Sequence, residues 1–442
     1  MGDCTAIRPV ANWPRGSEAF DMMAVLRELF PITRSLTGYG VRQTLAVLQR
    51  FLPITIHEVA TGTQVFDWTV PKEWNLRSAT IRDSRGRTLV DAKDNNLHVL
   101  GYSCPVTGTV SRDELAAHIH TLPDQPDAIP YRTSYYVEQW GFCLPDALWK
   151  TMHDESYHVD IDSDLSDGSL TYGEFFIPGD TQAEILISVH ICHPSLANDN
   201  LSGIVVAMGL ALECLRQPSR RLGLRFLFLP ATIGAITWLA RNEAALSKIS
   251  HGLVLTCIGD TGPFHYKRSN TGSGIDRAVE HVLAHGTIPY QMMDFSPYGY
   301  DERQYNSPGI NLPVGCFMRA VHGTFTQYHT SLDNCDFVKA GALEESLRTL
   351  SAVICVLEND RVFCRADGRG EPQLGRRGLY RATAGQKEAG GVSQMDLLWV
   401  LNQSDGTRSL LDIAERANVP FERLYAASRL CADADLLTEV LS

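Results

Sequence analysis

Apolar and polar positions along the chain fall into stretches of different period. Between residues 20 and 52, Met23, Leu26, Leu29 and Phe30 share one helical face, and Val41, Leu45, Leu48 and Phe51 share another. The intervening SLTGYG interrupts the pattern, so this stretch predicts helix, turn and helix. From about Ile54 to Ile119 the period shortens to that of strands, with VFDWTV, ATIRD and TLVDA punctuated by Gly and Pro, which predicts a small β-rich unit. Between His153 and Arg319 the nearly continuous apolar runs Glu184 to Val189, Leu224 to Leu229, Leu253 to Ile258 and Ile310 to Cys316 alternate with helical stretches such as Gly203 to Leu215. Runs of that kind are strands buried on both faces of a mainly parallel sheet. A long helix is predicted over 339–358, with Leu343, Leu347, Leu350, Ile354 and Leu357 on one stripe.

A Gly- and Arg-rich stretch from about Cys364 to Gly391 reads as a linker. The tail beyond it carries three short amphipathic helices around MDLLWVLN, SLLDIAERA and FERLYAASRLCADADLL, an arrangement compatible with a winged helix. At 442 residues the chain exceeds one compact core. The expected architecture is α/β: a mixed, mainly parallel sheet with helices on both faces, built from 18–55 and 130–362, with a small β-rich insertion at 56–129. A linker at 363–391 and a winged-helix-like module at 392–442 complete it.

Composition narrows the function. Apolar residues are 44% and charged residues 20%, ordinary values for a folded protein. The net charge of −12 argues against a nucleic-acid partner, and the tail has eight acidic residues against four basic. The tail is therefore read as a docking module or a homo-oligomer contact. No run is long and unbroken enough to span a bilayer, so no membrane role is expected. Eleven scattered cysteines and no secretory pattern in Met1 to Ala11 predict a cytoplasmic protein with free thiols.

In an open α/β sheet, ligands bind beyond the carboxyl ends of the strands, so the residues just after each apolar run carry the chemistry. EILISVHICHP ends in His190, Cys192 and His193, and NDN with Asp199 comes six residues later. A lone His at a strand end is ordinarily a packed rim residue. Imidazoles and a carboxylate gathered within ten residues, beside two asparagines, instead have the composition of a metal site. Strand side chains alternate faces, so His190 is taken as the ligand and His193 as a substrate-binding neighbour. After the fourth run, GTFTQYHTSLDN supplies His329 as the third ligand, with Tyr328 and Asp333 nearby. Three protein ligands with an open position describe a catalytic zinc.

FSPYGYDERQY adds Tyr298, Asp301, Glu302 and Arg303. A charge run is usually a solvated face. The functional reading gives Tyr298, Glu302 and Arg303 to substrate, with an acidic residue holding a free α-amine and Arg303 holding a carboxylate, and makes Asp301 or Glu302 a candidate base. Tyr135, Tyr136 and Trp140 are candidates for an apolar wall.

HICHPSLANDNLSGIVV and YHTSLDN resemble the metal-binding segments of the zinc exopeptidase superfamily, in the branch of leucyl aminopeptidases and glutaminyl cyclases, over about residues 150–358. SLTGYGVRQTL, VFDWTVPKEW and SYYVEQWGFCL resemble a less characterised aminopeptidase-like group with a small inserted domain and a C-terminal winged helix. Members of that group are often encoded beside polysaccharide or secondary-metabolite genes. The resemblance implies zinc-dependent hydrolysis of an amide, removing an N-terminal aminoacyl group from a peptide or a small-molecule conjugate. It also implies a pair of Glu after the second run, the first a general base and the second a ligand to a second zinc, where PATIG places Ala231 and Thr232. Ala231 is read as a lost Glu. A further Asp ligand is implied where LVLTCIGDTG has Thr256 and Cys257, with Asp260 a few residues late. With two ligands missing, one zinc is expected rather than two. The rival readings are a catalytically dead scaffold and an acyl transferase of the glutaminyl-cyclase kind.

Overall fold

The structure is a computed structural model that describes residues 20–217, 219–379 and 392–440. Its centre is an eight-stranded sheet formed by β1 (Thr55–Ala60), β2 (Ser169–Ile177), β3 (Glu184–His190), β4 (Gly223–Leu229), β5 (Ile249–Leu255), β6 (Phe264–Lys267), β7 (Tyr290–Met293) and β8 (Val314–Met318). The strand order is β1-β2-β4-β3-β5-β8-β6-β7. The inner four, β4-β3-β5-β8, are all parallel, and antiparallel partners flank them on both sides. Three of these inner strands coincide with the first three apolar runs or overlap them, and β8 overlaps the fourth.

Alternation along β3 separates two cores. Ile185, Ile187 and Val189 enter one buried cluster with Leu26, Leu45, Val205 and Leu343 from the helices Met22–Leu29, Tyr39–Gln49, Gly203–Leu215 and Ala340–Asn359. Leu186 enters the other, with Ile236 and Trp238 of the helix Ile233–Arg241 and with Val159 and Ile161 of a smaller sheet. His190 falls in the same alternation as Leu186. The helix Gly203–Leu215 is apolar on nearly every side because it is covered by sheet and helices. Each fully buried Val, Leu or Ile along it contributes about 1.5–3 kcal/mol.

The small β-rich unit differs from the expected 56–129. Its four antiparallel strands run in the order Thr88–Asp91, Glu73–Arg82, Ser156–Ser166, Val106–Ser111, so a central strand comes from outside the predicted insertion. β1, placed in the insertion by its period, instead pairs with β2 at the edge of the main sheet. Period reveals a strand but not its partner.

The tail has its three helices, Gln394–Gln403, Leu410–Ala417 and Phe421–Asp433, the first two opened by capping boxes at Ser393/Asp396 and Ser409/Asp412. The expected linker boundary is corrected. Val362–Arg365 is the middle strand of a three-stranded sheet with Asp405–Ser409 and Leu437–Glu439, so the module starts near residue 362. Residues 380–391 of the expected linker lie outside the described residues. Arg277 of the main body pairs with Asp412 at 2.7 Å and Glu415 at 2.6 Å. Part of the tail's acidic surplus therefore faces its own chain. Among the described residues, no helix is long and apolar enough to cross a membrane.

Candidate metal centre

β3 delivers His190 at its carboxyl end, and the chain then passes through an irregular turn, Ala197–Ser202, into the helix Gly203–Leu215. The turn is held at several points. Asp333 accepts hydrogen bonds from the backbone N–H of Asn198 at 2.6 Å and of Asp199 at 2.9 Å. The Asn198 side chain accepts from the Gly259 N–H at 2.7 Å and donates to Asp260 at 3.0 Å. Gly203 sits so close to β5 that a Cβ there would lie 2.7 Å from the Leu255 carbonyl oxygen, so only glycine lets the helix begin at this depth.

These supports present Asp199, which is fully buried, to three imidazoles. His190 Nε2 lies 2.9 Å from Oδ1, His329 Nε2 lies 3.0 Å from Oδ2, and His193 Nδ1 lies 3.3 Å from Oδ2. Donor atoms of His190, His193 and Asp199 all lie within 4.8 Å of one another. His193 differs from the other two in one respect. Its Nδ1 is also 3.0 Å from the Asp199 carbonyl oxygen, so that nitrogen is engaged by backbone and Nε2 is the one left to face outward. His190 is held from behind by the Asn200 amide, 3.3 Å from Nδ1, and by the Tyr300 ring stacked at 5.3 Å. The His329 ring stacks on Tyr328 at 4.0 Å.

The electrostatics arise from burial and mutual contact. Burial alone would raise the Asp199 pKa, yet the charge of His193 and the hydrogen bonds from the imidazoles hold it well below the usual carboxylate range. Burial lowers His190 and His329, favouring the neutral form that ligates a cation. The two neutral imidazoles of His190 and His329 beside a buried, ionised carboxylate form a donor set that fits zinc. Cys257 lies nearby, with its Sγ 3.2 Å from the Tyr300 hydroxyl. Asp260 is occupied with Asn198 and is part of the scaffold.

Beside this centre opens a cavity of about 390 Å³, lined by His193, His329, Ala231, Thr232, Tyr298, Tyr300, Arg303, His322 and Tyr328, together with Leu36, Trp68, Tyr135, Tyr136, Gly299 and Ile233. Of the residues expected to meet substrate, His193, Tyr298, Arg303 and Tyr328 are in its wall, and Ala231 lies there just after β4.

Three expected residues are elsewhere. Glu302 is fully buried in an ion pair with Lys267 of β6, so it is not the holder of an α-amine. Gly299 packs against this pair so tightly that a side chain there would collide with it. Asp301 is also buried and lies outside the lining, so it is not placed as the substitute base. Burial, reinforced by the charge of Glu302, pushes its pKa up to about 8. Trp140 stacks on His118 at 3.6 Å and is not part of the apolar wall.

Sequence reasoning missed Asp333 as the residue that positions Asp199, along with Trp68, His322 and Tyr131. The buried Tyr131 ring is 5.1 Å from both His193 and His329. The signal for Asp333 was present, since it lies four residues beyond His329 in the same polar loop.

The family model described as a domain of unknown function, DUF4910, matches residues 23–360, and a winged helix-turn-helix model matches 361–439. The chain belongs to the DUF4910 family. A Clostridium acetobutylicum protein, provisionally named for polysaccharide biosynthesis and an aminopeptidase-like domain, is 48% identical over 94% of this chain and 95% of its own. A crystal structure from the same organism, described provisionally as a peptidase, superposes with a TM-score of 0.90 at 46% identity, covering 95% of this chain and 96% of that one. The Bacillus subtilis zinc aminopeptidase BSAP superposes with a TM-score of 0.54 at 11% identity, covering 76% of this chain and 95% of its own. The fold is thus that of the zinc aminopeptidases, here with a C-terminal winged helix, as the sequence resemblance implied.

Proposed function

We propose that this protein is a zinc-dependent amide hydrolase acting on a small substrate. The observation that carries the reading is the convergence of His190, His193 and His329 on the buried Asp199 at the mouth of a cavity. His190, Asp199 and His329 would hold the metal, one ion rather than two, because Thr256 and Cys257 stand where the resemblance implies a further carboxylate ligand. Zinc, if bound there, would supply Lewis-acid chemistry, polarising a carbonyl and lowering the pKa of water from about 15.7 to about 7.

The protein's own groups divide the remaining work. His193, with Nδ1 tied to backbone, offers Nε2 as a hydrogen-bond partner for the amide. Tyr328 and Tyr300 fix the rings of His329 and His190 by stacking. Position 231 faces the cavity next to these groups, where a Glu would take the proton from attacking water. The relative's name, with its reference to polysaccharide biosynthesis, supports a biosynthetic setting.

Ala231 itself favours a second reading, a zinc-binding scaffold without turnover. One experiment separates the two. Protein purified without added metal should contain about one zinc per chain, and Ala231→Glu should raise amide hydrolysis by about 10²- to 10⁴-fold. Zinc without any gain from Ala231→Glu would leave the scaffold; no zinc would sink both readings.

A further inference from the structure

The cavity wall has an unusual charge content. None of its described lining residues is Asp or Glu, whereas it contains Arg303 and the three histidines His193, His322 and His329. A pocket that accepts a free α-amine needs an acidic partner for the ammonium group, because an unpaired charge taken out of water is costly. The nearest candidates are committed or set back: Glu302 to Lys267, Asp199 to the imidazoles, and Asp301 buried outside the lining.

Arg303 stands the other way. Its guanidinium makes no hydrogen bond or ion pair with a described residue, and its Nε is buried without a partner. His322, two aromatic rings away from His190 through Tyr300, has its Nδ1 buried and unpartnered as well. The neighbouring acids do not neutralise Arg303. Glu302 is matched by Lys267, and Asp301 is buried outside the lining with no hydrogen bond or ion pair to Arg303. A half-buried guanidinium left this free favours a carboxylate or another planar oxyanion.

The rest of the wall is aromatic. Trp68, from a hairpin ahead of the small sheet, lies 5.7 Å from Tyr136, and the two are 44% and 51% exposed. Tyr298, 69% exposed, is part of the same cavity lining. Exposed rings lining a cleft are surfaces for a flat or ring-shaped ligand body.

We propose that the cavity takes an acidic, ring-bearing amide rather than a peptide with a free N-terminus, and that Arg303 holds its negative charge. This rests on the amide-hydrolase reading of the same site.

The test uses the full chain loaded with zinc and three probes in titration calorimetry: hippurate, its neutral amide hippuramide, and phenylalaninamide, which carries the free amine. Hippurate is expected to bind about tenfold or more tighter than either of the others. Arg303→Gln should erase that preference with zinc content unchanged, and Arg303→Lys should keep part of it. Phenylalaninamide binding as tightly as hippurate would overturn the proposal, as would hippurate failing to bind. A preference that survives Arg303→Gln would also overturn it, since the carboxylate would then be held elsewhere, for instance by the metal. The metal content distinguishes the levels. A chain without zinc brings down the hydrolase reading, whereas a zinc-loaded chain that prefers the amine brings down only the substrate class.

Discussion

The carboxyl ends of β3 and β4 lie side by side in parallel register, with His190 opposite Leu229, yet they are equipped very differently. Beyond β3, every polar group in the Ala197–Ser202 turn that faces the centre has a partner, and a carboxylate and imidazoles converge. Beyond β4, at the same level of the sheet, Pro230, Ala231 and Thr232 offer no carboxylate at all. The fold supplies both positions. The sequence has placed ionisable groups only at the first, so on the proposed reading metal affinity and turnover would depend on different strand ends.

That separation can be broken most directly at Asp199. Asp199→Asn is expected to abolish stoichiometric zinc, whereas Ala231→Val should leave metal content at the level of the unaltered chain; elemental analysis of both variants reads the difference. Equal losses would show that the two ends act as one unit. A smaller effect is expected at the support behind the ligand. Asp333→Asn leaves an oxygen to accept one backbone N–H but removes the charge, and zinc affinity should fall by about 10- to 100-fold in chelator competition. An unchanged affinity would reduce Asp333 to ordinary loop packing.

The smallest effect belongs to the sheet beneath both ends. His251 on β5 is held down to about 4 by burial, with its Nδ1 unpartnered, against an ordinary value of about 6.5. Protonation therefore opposes the folded state. The contribution is fully present above about pH 6.5 and is lost as pH falls through the window toward 4. Thermal unfolding with excess chelator, which removes the metal's own pH dependence, should show a shallower slope across that window in His251→Gln. Identical slopes would assign the acid sensitivity to other groups.

Much of this was legible from residue order alone, for physical reasons that differ from place to place. His190 and Asp199 could be read because a strand end and the next helix start bring them together locally, nine residues apart. His329 could be read because parallel strands deliver their ends to one side of a sheet. The fate of Glu302 could not, since its partner Lys267 comes from β6, and only the folded sheet brings them into contact. The same holds for strands 156–166 and 362–365, which sequence reasoning did not single out and whose partners are set by packing at a distance. Trp68 was legible as a strand residue; that its ring would line the cavity depended on how the hairpin is carried over the main body.

Only Asp360 and Arg361 separate the helix Ala340–Asn359 from the strand that opens the winged helix. Asp360 accepts the Leu411 N–H at 2.8 Å, while Glu358 just before it accepts the Leu222 N–H at 3.1 Å. A joint so short and so well braced behaves as a bracket rather than a tether. Any macromolecule gripped by the C-terminal module would be held at a set distance and angle from the main body, so changes in the joint's length should retune that geometry rather than merely loosen it.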